Sequence, residues 1–122
     1  MREIKFRAWS IQFDDAGKMI YMNPPDGSFK DLVESDKWKV MQFTEIRDSN
    51  GNDIYEGDII KCDDKIGEVQ YDKQQGTYII LWQPNNEKRK NGCDDLASTF
   101  PSIVKVVIGN IYENPEIIKE AN

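Results

Sequence analysis

Histidine is absent from this chain of 122 residues. Without it there is no Ser-His or Cys-His nucleophile pair, no ordinary zinc site and no use of the commonest general base. Cysteine is scarce. Cys62 and Cys93 form neither a CxxC redox motif nor a zinc knuckle, which would need further Cys or His. Both are expected to be reduced and inert, with Cys62 the more deeply buried. No apolar run approaches the roughly 20 residues of a membrane-spanning helix. The opening Met1-Arg2-Glu3-Ile4-Lys5 is no signal peptide. A cytoplasmic protein is therefore expected.

Positive charge is also in deficit, with 16 basic against 22 acidic residues and a net charge of −6. Nucleic-acid binding rests on phosphate neutralisation by Lys and Arg, so this balance argues against DNA or RNA. What the chain does have is aromatics and mixed charge: three Trp, five Tyr and five Phe, with 31% charged residues. That composition belongs to a globular domain with a core of its own. At this length one domain over residues 1–122 is the simplest reading.

The organising stretch is residues 43–60. An apolar run ends at Ile46, and Asp48-Ser49-Asn50-Gly51-Asn52 reverses the chain. A second tight turn at Glu56-Gly57-Asp58 launches Ile59-Ile60. Gly51 and Gly57 supply the positive φ that such corners require. A strand leaving a Gly-Asp corner is a common start for a small, strongly bent β-barrel.

Around this centre the pattern is that of strands. Ile4, Phe6 and Ala8 alternate with Lys5, Arg7 and Trp9, which puts the apolar set on the buried face and Arg7 outside. Trp9 then requires either a strand buried on both faces or a contact with another surface. A turn at 14–18 leads to a strand over 19–22, and Asn23-Pro24-Pro25-Asp26-Gly27 breaks it. Residues 28–36 read equally as one helical turn or a loop. Further strands are expected at 38–43, 59–62, 67–72 and 77–82, the last apolar on both faces and so central. After a polar loop over 83–91, Asp94 is placed to cap a short turn through Leu96 and Ala97. Pro101 ends that turn, and a last long strand covers 103–108. Gly109-Asn110 then bends the chain, and Asn114-Pro115-Glu116 opens a short helix to about Ala121.

Four features invite chemistry. Asp48-Ser49-Asn50-Gly51-Asn52-Asp53 has oxygen ligands at calcium-loop spacing. However, Asp53 stands where the sharp-turn glycine belongs and Ile59 where the bidentate Glu belongs, so a turn is the better reading. The acid pairs Asp14-Asp15, Asp63-Asp64 and Asp94-Asp95 sit in expected turns, where aspartate is common. A carboxylate-based enzyme would rest on their abundance alone. Lys88, Arg89 and Lys90 form the one strong basic run, a candidate contact for an acidic partner or nucleic acid; Arg2, Lys5 and Arg7 form a looser cluster. Trp9, with Arg7 beside it, is the candidate interface position. Surplus apolar surface on the strands and so small a terminal helix point to a homo-oligomer. No catalytic residue, metal or cofactor is expected.

Three separated segments carry a family resemblance. They are Met1-Arg2-Glu3-Ile4-Lys5-Phe6-Arg7-Ala8-Trp9 with Lys18-Met19-Ile20; Met41-Gln42-Phe43-Thr44 with Asp48, Asn50-Gly51 and Asp53-Ile54-Tyr55-Glu56-Gly57-Asp58-Ile59; and Val107-Ile108-Gly109-Asn110-Ile111-Tyr112-Glu113-Asn114-Pro115-Glu116. In this order they resemble the YopX proteins of phages and prophages. Glu45 stands where the family usually has glycine. The resemblance implies a mainly β fold, a small, strongly bent antiparallel pseudobarrel of SH3 or PRC-barrel type capped by a short C-terminal helix. It also implies a phage-associated origin, and it implies no reaction. A non-enzymatic accessory protein acting through protein–protein contacts is the leading expectation. A nucleic-acid-associated module using the basic loop is the alternative.

Overall fold

The computed structural model describes residues 3–11, 17–22, 29–86, 88, 91–97 and 104–122. The chain is mainly β, in two antiparallel sheets that do not close into one barrel. The first has the order β2-β1-β3-β4, from β1 (Phe6–Ser10), β2 (Met19–Met22), β3 (Trp38–Arg47) and β4 (Asp53–Tyr55). The second has the order β8-β7-β6-β5-β9, from β5 (Asp58–Cys62), β6 (Lys65–Asp72), β7 (Thr77–Trp82), β8 (Cys93–Asp95) and β9 (Val106–Asn110). Among the described residues two short helices accompany the sheets, α1 (Phe29–Glu34) and α2 (Pro115–Ala121).

The core follows from the period-2 pattern. Ile60, Cys62, Val69, Ile80 and Trp82 turn inward from neighbouring strands of the second sheet and meet Ile54 and Leu96. At the β6–β7 seam, Gly67 opposes Trp82, and a Cβ there would collide with Ile80 Cγ2. The absent side chain is what lets the two strands pack this closely.

The corner at Glu56-Gly57 joins the sheets. Gly57 has φ +85°, as expected. Its N–H donates to Val69 O at 2.8 Å and its carbonyl accepts from Ile111 N–H at 2.9 Å. Glu56 Oε1 accepts from Gln42 N–H at 2.8 Å, fixing the same corner to β3. The hairpin at 48–52 is fixed by Asp48. One carboxylate oxygen accepts from Asn50 and Asn52 N–H, and the other accepts from Val107 N–H at 2.9 Å. The calcium-like sequence is thus a side-chain-capped turn that ties the end of β3 to β9.

Several elements differ from the expectation. β3 runs four residues past Phe43, because an irregularity between Phe43 and Arg47 absorbs the extra chain. Thr44 holds it, its hydroxyl donating to Ile54 O at 2.8 Å and accepting from Ile46 N–H. Asp94 lies in β8, paired with Ile80, rather than capping a turn. β9 begins at Val106 and carries Gly109 and Asn110 within the strand, because a register shift opposite Ile59 and Ile60 takes up the bend. Residues 29–34 are helical. The expected helix over 115–121 is present with Asn114 at its N-cap position, but the Asn114 side chain makes no capping hydrogen bond. Its side chain accepts from Asn110 N–H instead. The break at 23–27, Pro101 and Ile103 lie outside the described residues.

Candidate functional site

The first strand departs most from its expected orientation. Arg7 is 3% exposed, so it lies inside and not on the outer face. Ala8 is buried as well, which means that the middle of β1 is covered on both faces. Arg7 is drawn in by a partner: its Nη2 donates to Asp58 Oδ1 at 2.7 Å and to Glu56 O at 3.1 Å. Its Nε–H points at Met41 Sδ at 3.4 Å, and the guanidinium lies 4.7 Å from the centre of the Tyr55 ring. Asp58, 2% exposed, uses its second oxygen to accept from Tyr55 N–H at 2.8 Å. Burial pushes the Asp58 carboxyl above its ordinary 3.8, against the pull of the Arg7 charge and the Tyr55 N–H. One aspartate thus closes the Glu56-Gly57 corner and neutralises an arginine from the first strand.

Above this pair, where the two sheets meet, lies a cleft of about 490 Å³. Tyr21 of β2 and Tyr55 of β4 form its aromatic side, edge to face with ring centres 5.9 Å apart. Asp53 and the Gly109 backbone line it too. Asp53 bridges Lys5 at 2.9 Å and Arg47 at 3.0 Å. Glu3 joins the same network by contacting both cations. The hydrogen bonds to Lys5 and Arg47 hold the Glu3 carboxyl below its ordinary value.

The other expected site residues are dispersed. Trp9 is half-buried, stacked on Tyr112 with ring centres 6.0 Å apart, and its indole occupies the space that a Cβ at Gly17 would need. Lys88 is exposed, while Arg89 and Lys90 lie outside the described residues. The described members of the looser basic cluster form no patch, Lys5 being bound to Asp53 and Glu3 and Arg7 buried; Arg2 lies outside the described residues. Asp63 and Asp64 occupy an exposed turn. Asp94 accepts from Trp82 Nε1–H at 2.6 Å, and Asp95 accepts from Ala97 N–H. Asp14 and Asp15 lie outside the described residues. Among the described residues, no three His, Cys, Asp or Glu side chains gather as a metal would need. Cys62 is buried and Cys93 exposed, both as free thiols. Burial pushes the Cys62 thiol above its ordinary value.

Sequence reasoning missed the Arg7–Asp58 pair and the cleft above it. A signal existed in Tyr55-Glu56-Gly57-Asp58, where an aspartate follows the turn glycine with a side chain free to reach back to the backbone. Nothing in the sequence linked that corner to Arg7.

Residues 14–119 match the family of YopX proteins, nearly the whole chain. The chain belongs to the YopX family. Comparison with curated proteins returns no match. Asp58 of the buried pair, the Gly57 corner and the Asp48 turn of this YopX chain fall within the matched residues, while Arg7 precedes them. No helix among the described residues is long and apolar enough to cross a membrane.

Proposed function

We propose that this YopX chain is a phage- or prophage-encoded accessory protein, acting in the cytoplasm of the bacterial host as a non-enzymatic protein–protein interaction module that self-associates. The observation that carries this reading is the rim of the cleft. Tyr21 is 61% exposed there, on a strand of four residues without a charge, Met19-Ile20-Tyr21-Met22. Among the described residues β2 pairs on one side only, with β1. An uncharged edge strand is a template on which a second chain extends the sheet, with exposed side chains setting specificity. Trp9 is the register partner of Met19, so it lies beside the same edge. At the floor of the cleft the charged groups are bound to one another, an arrangement suited to holding a surface rather than moving protons.

Light scattering coupled to gel filtration tests this. A dimer or larger ring is expected at micromolar concentration, twofold pairing being the commonest symmetry. Tyr21→Lys places a charge on the edge and is expected to return the protein to a monomer. A monomeric mass for the unaltered chain overturns the reading.

A further inference from the structure

A guanidinium carries five N–H donors in a fixed fork. In Arg7 the Nε–H faces Met41 Sδ, and Nη2 serves Glu56 O and Asp58 Oδ1. The other terminal nitrogen, Nη1, meets no acceptor among the described residues. No fully enclosed side-chain nitrogen or oxygen of these residues lacks a partner. Nη1 therefore opens onto the cleft that Arg7 lines. Nη1 thus keeps its two N–H donors available at the floor of the cleft, on a residue that is otherwise 3% exposed. They can serve an acceptor that enters the cleft.

The surroundings select the acceptor. The charged residues lining the cleft are Arg7, Asp53 and Asp58, two carboxylates against one guanidinium. Asp58 already neutralises Arg7 at 2.7 Å, and Lys5 and Arg47 are already engaged by Asp53, so an incoming anion would meet both carboxylates without an uncompensated cation to hold it. A neutral carbonyl oxygen gains the hydrogen bonds without that repulsion. The wall beside it is the Tyr21 ring, a flat apolar surface, and the volume falls within the roughly 300–1,000 Å³ of ligand clefts. An amide is planar and neutral, and it presents the required oxygen.

We infer that the cleft is a subsite for an amide group from a partner protein segment, its carbonyl oxygen accepting from Arg7 Nη1 while the adjoining apolar chain lies on Tyr21. That the amide comes from a protein rests on the interaction-module reading. The preference for an amide over an anion rests on Arg7 and its two carboxylate neighbours alone.

The test is a nuclear magnetic resonance titration of the full chain with N-acetylglycinamide, and separately with sodium acetate at matched ionic strength. The signals followed are the Arg7 guanidinium and the Gly109 and Asn110 amides. The amide probe is expected to shift them saturably, with acetate weaker by about ten-fold or more. Tyr21→Ala, at an exposed position that leaves the fold intact by circular dichroism, is expected to weaken the amide probe about five-fold. Arg7→Lys keeps the charge but removes Nη1 and is expected to abolish the shifts; if it does not fold, Tyr21→Ala still decides. No saturable shift, acetate binding as well as the amide, or an unchanged affinity in Tyr21→Ala overturns the subsite. Light scattering reads the other proposal independently: a monomeric mass beside a saturable amide shift removes self-association and leaves the subsite standing.

Discussion

Arg7 and Asp58 lie 51 residues apart in sequence and 2.7 Å apart in space, in an ion pair from which solvent is almost entirely excluded. Such a pair is worth little against an apolar replacement of both partners, yet removing one partner leaves the other charged and buried. Asp58→Ala is expected to cost about 3–5 kcal/mol. Arg7→Met combined with Asp58→Ala is expected to cost less than the sum of the two single changes. Urea unfolding of the four proteins in a double-mutant cycle measures the difference; additive losses would contradict the pairing.

Gly57 sits at φ +85°, and a Cβ added there would stand 3.3 Å from Met41 Sδ and 3.6 Å from the Ile111 and Tyr112 side chains. Gly57→Val puts a β-branched residue into a conformation that such residues avoid. It is expected to lower stability by about 1–3 kcal/mol. An unchanged melting midpoint would contradict this.

Glu45, where the family usually has glycine, has φ +69° on an exposed stretch of β3. Left-handed backbone is unfavourable for a residue with a Cβ, while glycine adopts it freely and loses more entropy on folding. Glu45→Gly is expected to be neutral or to gain up to about 1 kcal/mol, read as a rise in the denaturant midpoint. A clear loss would show that the Glu45 side chain matters more than its backbone.

Asp48 gives the acid limb of stability. Burial raises its carboxyl, but the N–H groups of Val107, Asn52 and Asn50 and the Asn52 side-chain amide outweigh this, holding it below 3.8. Below the unfolded value the unfolded chain binds the proton and the folded chain does not, so acidification favours unfolding. The contribution is complete above about pH 4 and is lost as the pH falls through the folded value. Asp48→Asn is expected to flatten the stability profile between about pH 4 and pH 2, measured by urea midpoints across that range.

Local features of this chain were legible in its sequence. The 77–82 strand, the positive φ of Gly57 and the helix after Asn114 each depend on a few adjacent residues, and each was expected. The face of β1 was not, because alternation scores arginine as polar and assigns it to solvent. Asp58 reverses that assignment from across the molecule. β8 was missed for a similar reason. Asp94 and Asp95 look like turn residues, yet register with Ile79 and Ile80 makes them an edge strand. The cleft was invisible because its walls come from β1, β2, β4, β5 and β9, whose assembly depends on pairing rather than on any motif.

The turn at Asp48 also bears on how this protein is made. Its carboxylate is completed by Val107, 59 positions later, and Ser49 meets Lys105 through two further hydrogen bonds. A ribosome extends the chain at about 5–20 residues per second. For several seconds of synthesis, therefore, the first sheet exists without the segment that clasps it. The nascent chain can form its hairpins as they emerge, but the clasp closes only once Lys105 and Val107 have emerged as well.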